Sequence, residues 1–209
     1  MLAPLALALR FSGEGEIFFK QHRVGREGRP FTLYKFATML KNSPNMGAGT
    51  LTLKDDPRVL PMGRVLRKTK VNELPQLLNV VLGDMSIIGP RPQTPRCFDA
   101  FPERSQKEIM KVRPGLSGIG SIVFRNEEEI LVATGNPDKF YDEVIMEYKG
   151  RLEEWFVQNH SPLVYFKCIF LTGFVIIKPS QPLIWSFFPR LPTPPRSLIP
   201  YIRCDQHNG

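Results

Sequence analysis

The sequence predicts a single small α/β domain in which short strands accompany one central helix. Three observations lead there. The 209 residues, 42% of them hydrophobic, suffice to bury about 70% of the unfolded surface around one core. Residues 16–39 alternate short β-rich runs about a Gly- and Arg-rich turn. Residues 71–81, VNELPQLLNVV, repeat apolar positions at helical spacing.

The elements follow in order. MLAPLALALRF is apolar but contains Arg10 and falls short of the about 20 residues a spanning helix needs. It also lacks the basic leader and small-residue cleavage site of a signal peptide. Residues 16–39 then predict strand, turn and strand, with Lys35 near the end of the second strand. Residues 40–57 are turn-rich and predict a mobile loop. Pro61–Thr69 predicts a short basic helix with Val65 and Leu66 facing inward.

In the central helix Leu74, Leu77, Leu78 and Val81 form one apolar face. Asn72 is a favoured N-cap, Pro75 suits the first turn because its missing N–H has no partner there, and Gly83 supplies the stop. Beyond it come GDMSIIGPRP, a polar helix near Glu103–Lys111, and VRPGLSGIGSIVFRN, whose Pro-Gly and Gly-x-Gly pairs mark loops between short strands. Residues 138–158 predict a helix rich in charge and aromatics. Leu163–Ile177 is a second apolar stretch, cut by Lys167 and Gly173. After Lys178, prolines at 179, 182, 189, 192, 194, 195 and 200 oppose a compact helix or central strand and predict a tail. No internal repeat is visible.

Several chemistries are excluded. Cys97, Cys168 and Cys204 are odd in number and form no C-x-x-C pair, so neither a disulfide framework nor a zinc site is predicted and a reducing cytosol is the default. Only His22, His160 and His207 are present, and no phosphate-binding P-loop, zinc-protease or nucleophile-elbow motif occurs. The glycines of SGEGEI read as a plain turn. A net charge of +8 favours phosphates, nucleic acid or acidic lipids. Nucleic acid is the poorest fit of the three, because the aromatics cluster in apolar runs and do not interleave with the cations.

What remains is arginine or lysine beside turn residues: HRVGREGRP, YKF, LRKTK, GPRP, VRPG and VFRN. A guanidinium held next to Pro or Gly loses little entropy on binding phosphate oxygens in a bidentate fork. Taken singly, each of these cations reads more readily as a helix cap or a surface ion pair than as a phosphate ligand. Asn72 and Glu73 sit where a helix start favours negative charge, and spacing alone leaves a simple cap and a phosphate-side position both open.

The run LRKTKVNELPQLLNVVLGDMSIIGPRP, with FFKQHRVG and LYKFATM before it and VRPGLSGIG after it, resembles the bacterial sugar transferase family, the monotopic polyprenol-phosphate phosphoglycosyl transferases. The likeness covers about Leu2 to Thr172. It implies transfer of a sugar 1-phosphate from a UDP-sugar to a membrane polyprenyl phosphate, with release of UMP and assistance from Mg2+. The implied setting is the cytoplasmic face of the bacterial inner membrane, where the initiating step of exopolysaccharide, capsule, O-antigen or glycan assembly takes place. The implied catalytic domain is held there by a re-entrant hairpin and amphipathic helices.

The family's central helix opens on an Asp-Glu pair, the Asp as nucleophile and the Glu helping to hold the metal; here the pair is Asn72 and Glu73. An amide is a very poor nucleophile towards phosphorus. We therefore expect Glu73 to be the essential carboxylate and metal ligand, with a catalytically silent, substrate-binding relative as the alternative. Lys35, Arg67 and Arg91 match the family's phosphate-contacting cations, Arg113 lies in VRPG, and Arg125 lies where a further arginine is expected. A family Leu-Asp pair falls at Val164 and Tyr165, and an acid of the preceding helix at Glu153.

The resulting organisation is a hairpin remnant over 1–15 with Pro4 at its break, a catalytic domain over 16–178 and a Pro-rich tail over 179–209. Composition reads Leu163–Ile177 equally as a core helix or an interfacial segment, and the resemblance, with Trp185, Phe187 and Phe188 beyond it, favours the membrane surface.

Overall fold

The computed structural model describes residues 2–12, 14–47, 51–177 and 182–202; Lys178, Pro179, Cys204 and His207 lie outside them. Helix α1 (Leu2–Arg10) carries Pro4 in its first turn and leads into a hairpin. Strands β1 (Phe18–Val24) and β2 (Pro30–Phe36) pair antiparallel, Phe19 opposite Lys35 and His22 opposite Thr32. Their turn puts Glu27 and Gly28 in left-handed backbone, φ 59° and 72°. Lys35 stands one residue from the end of β2, as the alternation predicts.

The described residues of the 40–57 segment, 40–47 and 51–57, are fastened, which corrects the expectation of mobility there. Arg58, 4% exposed, donates to Asp56, to the carbonyls of Ser43 and Met46, and to that of Leu51. The hydrogen bond from Arg58 also holds the Asp56 carboxyl at about 2. One buried guanidinium thus replaces the regular pairing that this loop lacks.

In α2 (Pro61–Lys68) Leu66 is buried, but Val65 is 62% exposed, so only one of the two expected residues faces inward. Gly63 decides the side. A Cβ there would lie 2.1 Å from the Thr38 carbonyl oxygen, so the Gly63 face, one turn from Leu66, is the one pressed against the segment that follows β2.

The central helix starts differently from the expectation. Lys70 takes left-handed backbone, Val71–Glu73 form a 3-10 turn, and α3 (Gln76–Leu82) begins only after Pro75. Asn72 lies inside that turn and makes no capping hydrogen bond, so it is not the N-cap. Gly83 ends α3 as predicted, its N–H reaching the Asn79 and Val80 carbonyls.

The predicted apolar face of α3 exists but points outward: Leu74, Leu77, Leu78 and Val81 are all exposed, Val81 by 83%. Gln76 and Asn79 are buried in their stead. The cause is β2, which is an edge strand with backbone groups still to satisfy. Asn79 Nδ2 donates to the Thr32 carbonyl (2.7 Å) and Asn79 Oδ1 accepts the Tyr34 N–H (3.2 Å). An amide side chain serves as the strand's missing neighbour.

Strand β3 (Ser86–Ile88) follows, then α4 (Pro95–Asp99), α5 (Glu103–Ile109) and β4 (Gly115–Ser117), which pairs parallel with β3. The residues after Gly118 form helix α6 (Ile119–Val123), where loops and short strands were expected. Then come α7 (Glu127–Val132), α8 (Pro137–Phe140), a π-helical turn (Tyr141–Ile145) and α9 (Met146–Asn159), the last three of which realise the helix predicted over 138–158. Helices α10 (Pro162–Ile177) and α11 (Pro182–Phe187) complete the fold.

The main core gathers on α9, where Met146, Tyr148 and Leu152 are fully buried. A smaller cluster of Leu9, Phe36 and Leu66 seats α1 and α2 on the hairpin. The described part of the Pro-rich segment, residues 182–202, is no loose tail. Ile184, Phe188, Leu191, Leu198 and Ile202 are all buried in the main core, and the Tyr148 hydroxyl donates to the Pro192 carbonyl over 2.7 Å. Prolines restrict helix length but do not oppose burial, and α11 begins on Pro182, where a missing N–H costs nothing. No helix among the described residues is long and apolar enough to cross a membrane.

Candidate active site

Three chain segments converge on one carboxylate. Strand β2 supplies Lys35, the 3-10 turn supplies Glu73, and the Gly-Pro-Arg-Pro loop after β3 supplies Arg91. Arg91 Nη2 donates to Glu73 Oε1 over 2.5 Å, and Lys35 Nζ lies 3.7 Å from the same oxygen. Burial opposes ionisation of Glu73, but Arg91, Lys35 and Lys70 outweigh it and hold the carboxyl well below the usual carboxylate range. Burial draws the Lys35 ammonium well below the usual lysine range; Glu73 opposes this, while Arg91, Arg23 and Arg67 add to it. An arriving anion would offset that repulsion and favour protonated Lys35.

Two cavities flank this cluster. The first, about 430 Å3, is lined by Glu73, Lys70, Arg91, Arg125, Lys149, Glu127 and Glu128, with Leu74, Ile169 and Ile176 on its apolar side. The second, about 380 Å3, is lined by Asn72, Lys35, Arg67, Arg23, Lys20 and Lys41, with Glu16 its one acidic residue. Asn72 is 6% exposed and its Oδ1 is buried without a hydrogen-bond partner. The chain direction at the 3-10 turn thus gives consecutive residues to opposite cavities.

The structure brings together most of the expected cations but divides them. Lys35 and Arg67 belong to the second cavity, Arg91 and Arg125 to the first. Arg67 also ion-pairs with Glu128 of the first cavity. Arg113 is exposed and lines neither of these two cavities. Its backbone carbonyl packs on Gly89 instead: a Cβ at Gly89 would lie 2.6 Å from it.

Sequence reasoning passed over Lys70, Lys149 and Arg23. Lys70 was visible as the last cation of LRKTK, but its importance depends on the left-handed backbone that turns it towards Glu73. Lys149 is buried, pairs with Glu127 and lies 5.1 Å from the Phe124 ring centroid. A lysine within a long helix carries no local signal of this kind. Arg23 Nη1 donates to the Pro92 carbonyl, and burial lowers its guanidinium to about 10, which leaves it cationic at neutral pH.

Behind the first cavity, Glu153 of α9 is fully buried, and burial pushes its carboxyl up to about 8 against the pull of Lys149. Gly120 faces it so closely that a Cβ there would lie 2.4 Å from Glu153 Oε1.

A family model described as bacterial sugar transferase matches residues 1–179. Among curated relatives, the chain is 37% identical over 158 residues to the sugar transferase EpsL of Bacillus subtilis (strain 168), covering 75% of this chain and 67% of that one. It is 40% identical over 129 residues to the UDP-N-acetylgalactosamine-undecaprenyl-phosphate N-acetylgalactosaminephosphotransferase of Aeromonas hydrophila, covering 59% of this chain and 30% of that one. It is 34% identical over 177 residues to the UDP-glucose:undecaprenyl-phosphate glucose-1-phosphate transferase of Escherichia coli (strain K12), covering 83% of this chain and 35% of that one. The chain therefore spans about a third of the two longer relatives.

Proposed function

The chain belongs to the bacterial sugar transferase family, and from that premise we propose that it transfers a sugar 1-phosphate from a UDP-sugar to a polyprenyl phosphate, releasing UMP. The observation that carries this reading is Glu73, an ionised carboxylate between Arg91 and Lys35 at the boundary of two cation-lined cavities. Fixed cations of this kind stabilise charge that develops as a diphosphate is cleaved, without reorganising at the moment of reaction. The names of the Aeromonas and Escherichia relatives support the same reaction class.

Mg2+ is part of the proposal. No group of three acidic, histidine or cysteine side chains with metal-ligand spacing occurs among the described residues. Mg2+ needs none: it keeps several waters and is commonly held by one or two carboxylates plus substrate phosphates. Glu73 offers the carboxylate. Bound there, the ion would neutralise diphosphate charge.

The outward apolar face of α3 supports docking on the cytoplasmic membrane surface, and so do Phe166 (67% exposed) and Phe170 (58% exposed) on α10. Liposome flotation tests it, with protein remaining wholly soluble as the contrary result.

Asn72 favours a second reading, a relative that binds substrate without turnover. The deciding experiment measures UMP release with Mg2+, polyprenyl phosphate and a panel of UDP-sugars for the native chain, Asn72→Asp and Glu73→Gln. Turnover by the native chain supports the enzyme. Turnover by Asn72→Asp alone supports the silent relative.

A further inference from the structure

We propose that the two cavities hold the two substrates at the same time, donor in the second and lipid acceptor in the first, and that transfer runs directly between them past Glu73. This rests on the reaction proposed above and specifies its route.

Charge and lining assign the occupants. The second cavity sets five cations against Glu16 alone, and Glu16 is itself paired with Lys41 over 2.9 Å. That surplus suits a diphosphate, and the buried, unpartnered Oδ1 of Asn72 adds an acceptor for a hydrogen-bond donor of the same ligand. The first cavity is nearly balanced, four cations against Glu73, Glu127 and Glu128, which suits a single phosphate. Its apolar side is continuous with exposed helix faces: Leu74 belongs to the outward row of α3, and Ile169 and Ile176 to that of α10. A prenyl chain attached to the phosphate would lie along those rows.

Two ion pairs form the wall between the cavities. Lys35 of the second reaches Glu73 of the first, and Arg67 of the second reaches Glu128 of the first. In each pair the cation, Lys35 or Arg67, would exchange its carboxylate for an incoming phosphate oxygen. With Asn72 in the wall, no carboxylate of the second cavity stands beside Glu73 to take the sugar phosphate first.

In the direct step an anionic oxygen of the lipid phosphate attacks the sugar-bearing phosphorus of the UDP-sugar. The new P–O bond forms as the bond from that phosphorus to the bridging oxygen breaks. The bridging oxygen keeps the electron pair and leaves on UMP, so no proton, oxidant or co-reactant is required.

The test is exchange of labelled UMP into UDP-sugar without lipid, beside titration of UDP into detergent-solubilised protein with and without saturating farnesyl phosphate. We expect no exchange, and a UDP affinity that farnesyl phosphate leaves unchanged. Lys20→Ala and Lys41→Ala, both at exposed positions, should raise the donor KM several-fold with the acceptor KM unchanged, and Ile169→Asp should do the reverse. Exchange without lipid, or displacement of UDP by farnesyl phosphate, would overturn the route while leaving the reaction intact. Absence of turnover with every donor would overturn the reaction and the route with it.

Discussion

The Arg91 guanidinium meets Glu73 at 2.5 Å from a loop eighteen residues away, and this contact, with Lys35 and Lys70, keeps a buried carboxylate charged. Replacing Glu73 by Gln should lower UMP release by at least about 10²-fold, the scale of losing one preorganised charge-stabilising group. Near-native release by Glu73→Gln would remove this carboxylate from the mechanism.

Asn79 presents a separate test of the fold. Asn79→Leu leaves the Thr32 carbonyl and the Tyr34 N–H without their partner, at a cost of roughly 2–4 kcal/mol for two orphaned backbone groups. Urea denaturation should show the midpoint falling with the slope unchanged. An unaltered midpoint would mean that β2 finds other partners.

Glu153 sets a pH dependence. Its folded carboxyl, at about 8, is raised above the ordinary 4.5, so between those values the folded chain keeps a proton that the unfolded chain has released. Stability therefore falls as pH rises from about 4.5 to about 8, by a few kcal/mol, and is flat beyond. Glu153→Gln should flatten the Tm profile and gain most over the native chain above pH of about 8. Parallel profiles for the two proteins would contradict this.

The Pro-rich segment should behave as core. Leu198→Ala is expected to cost about 2–5 kcal/mol, against less than about 0.5 kcal/mol for the neighbouring exposed Arg196→Ala, both measured by thermal melts. Equal and small effects would restore the segment to the status of a tail.

These elements also show how far the residues alone can be read. Lys35 at the end of β2 and Gly83 at the end of α3 were legible because alternation and left-handed backbone are local properties. The row Leu74, Leu77, Leu78 and Val81 was legible as a face but not as an outward one, because periodicity carries no information about the unsatisfied edge of β2 forty residues earlier. Asn72 failed as a cap for a local reason: Lys70 turns left-handed and the 3-10 turn intervenes before Pro75. The prolines beyond residue 181 limited helix length, and no pattern in them revealed the pocket that Leu198 and Ile202 fill. In the site, arginines beside Pro or Gly were found by their setting, whereas Lys149 becomes visible only once α7 brings Glu127 against it.

The outward row of α3 separates two kinds of selection acting on one helix. Asn79 and Gln76 answer to folding, since their side chains are buried against the rest of the chain. Leu77, Leu78 and Val81 answer largely to whatever covers their exposed faces, 43%, 50% and 83% of each, because no described residue covers those faces. A library screened for thermal stability would pass polar replacements at those three positions and reject them at Leu66, so the row would be invisible to any assay that reads only whether the domain has folded.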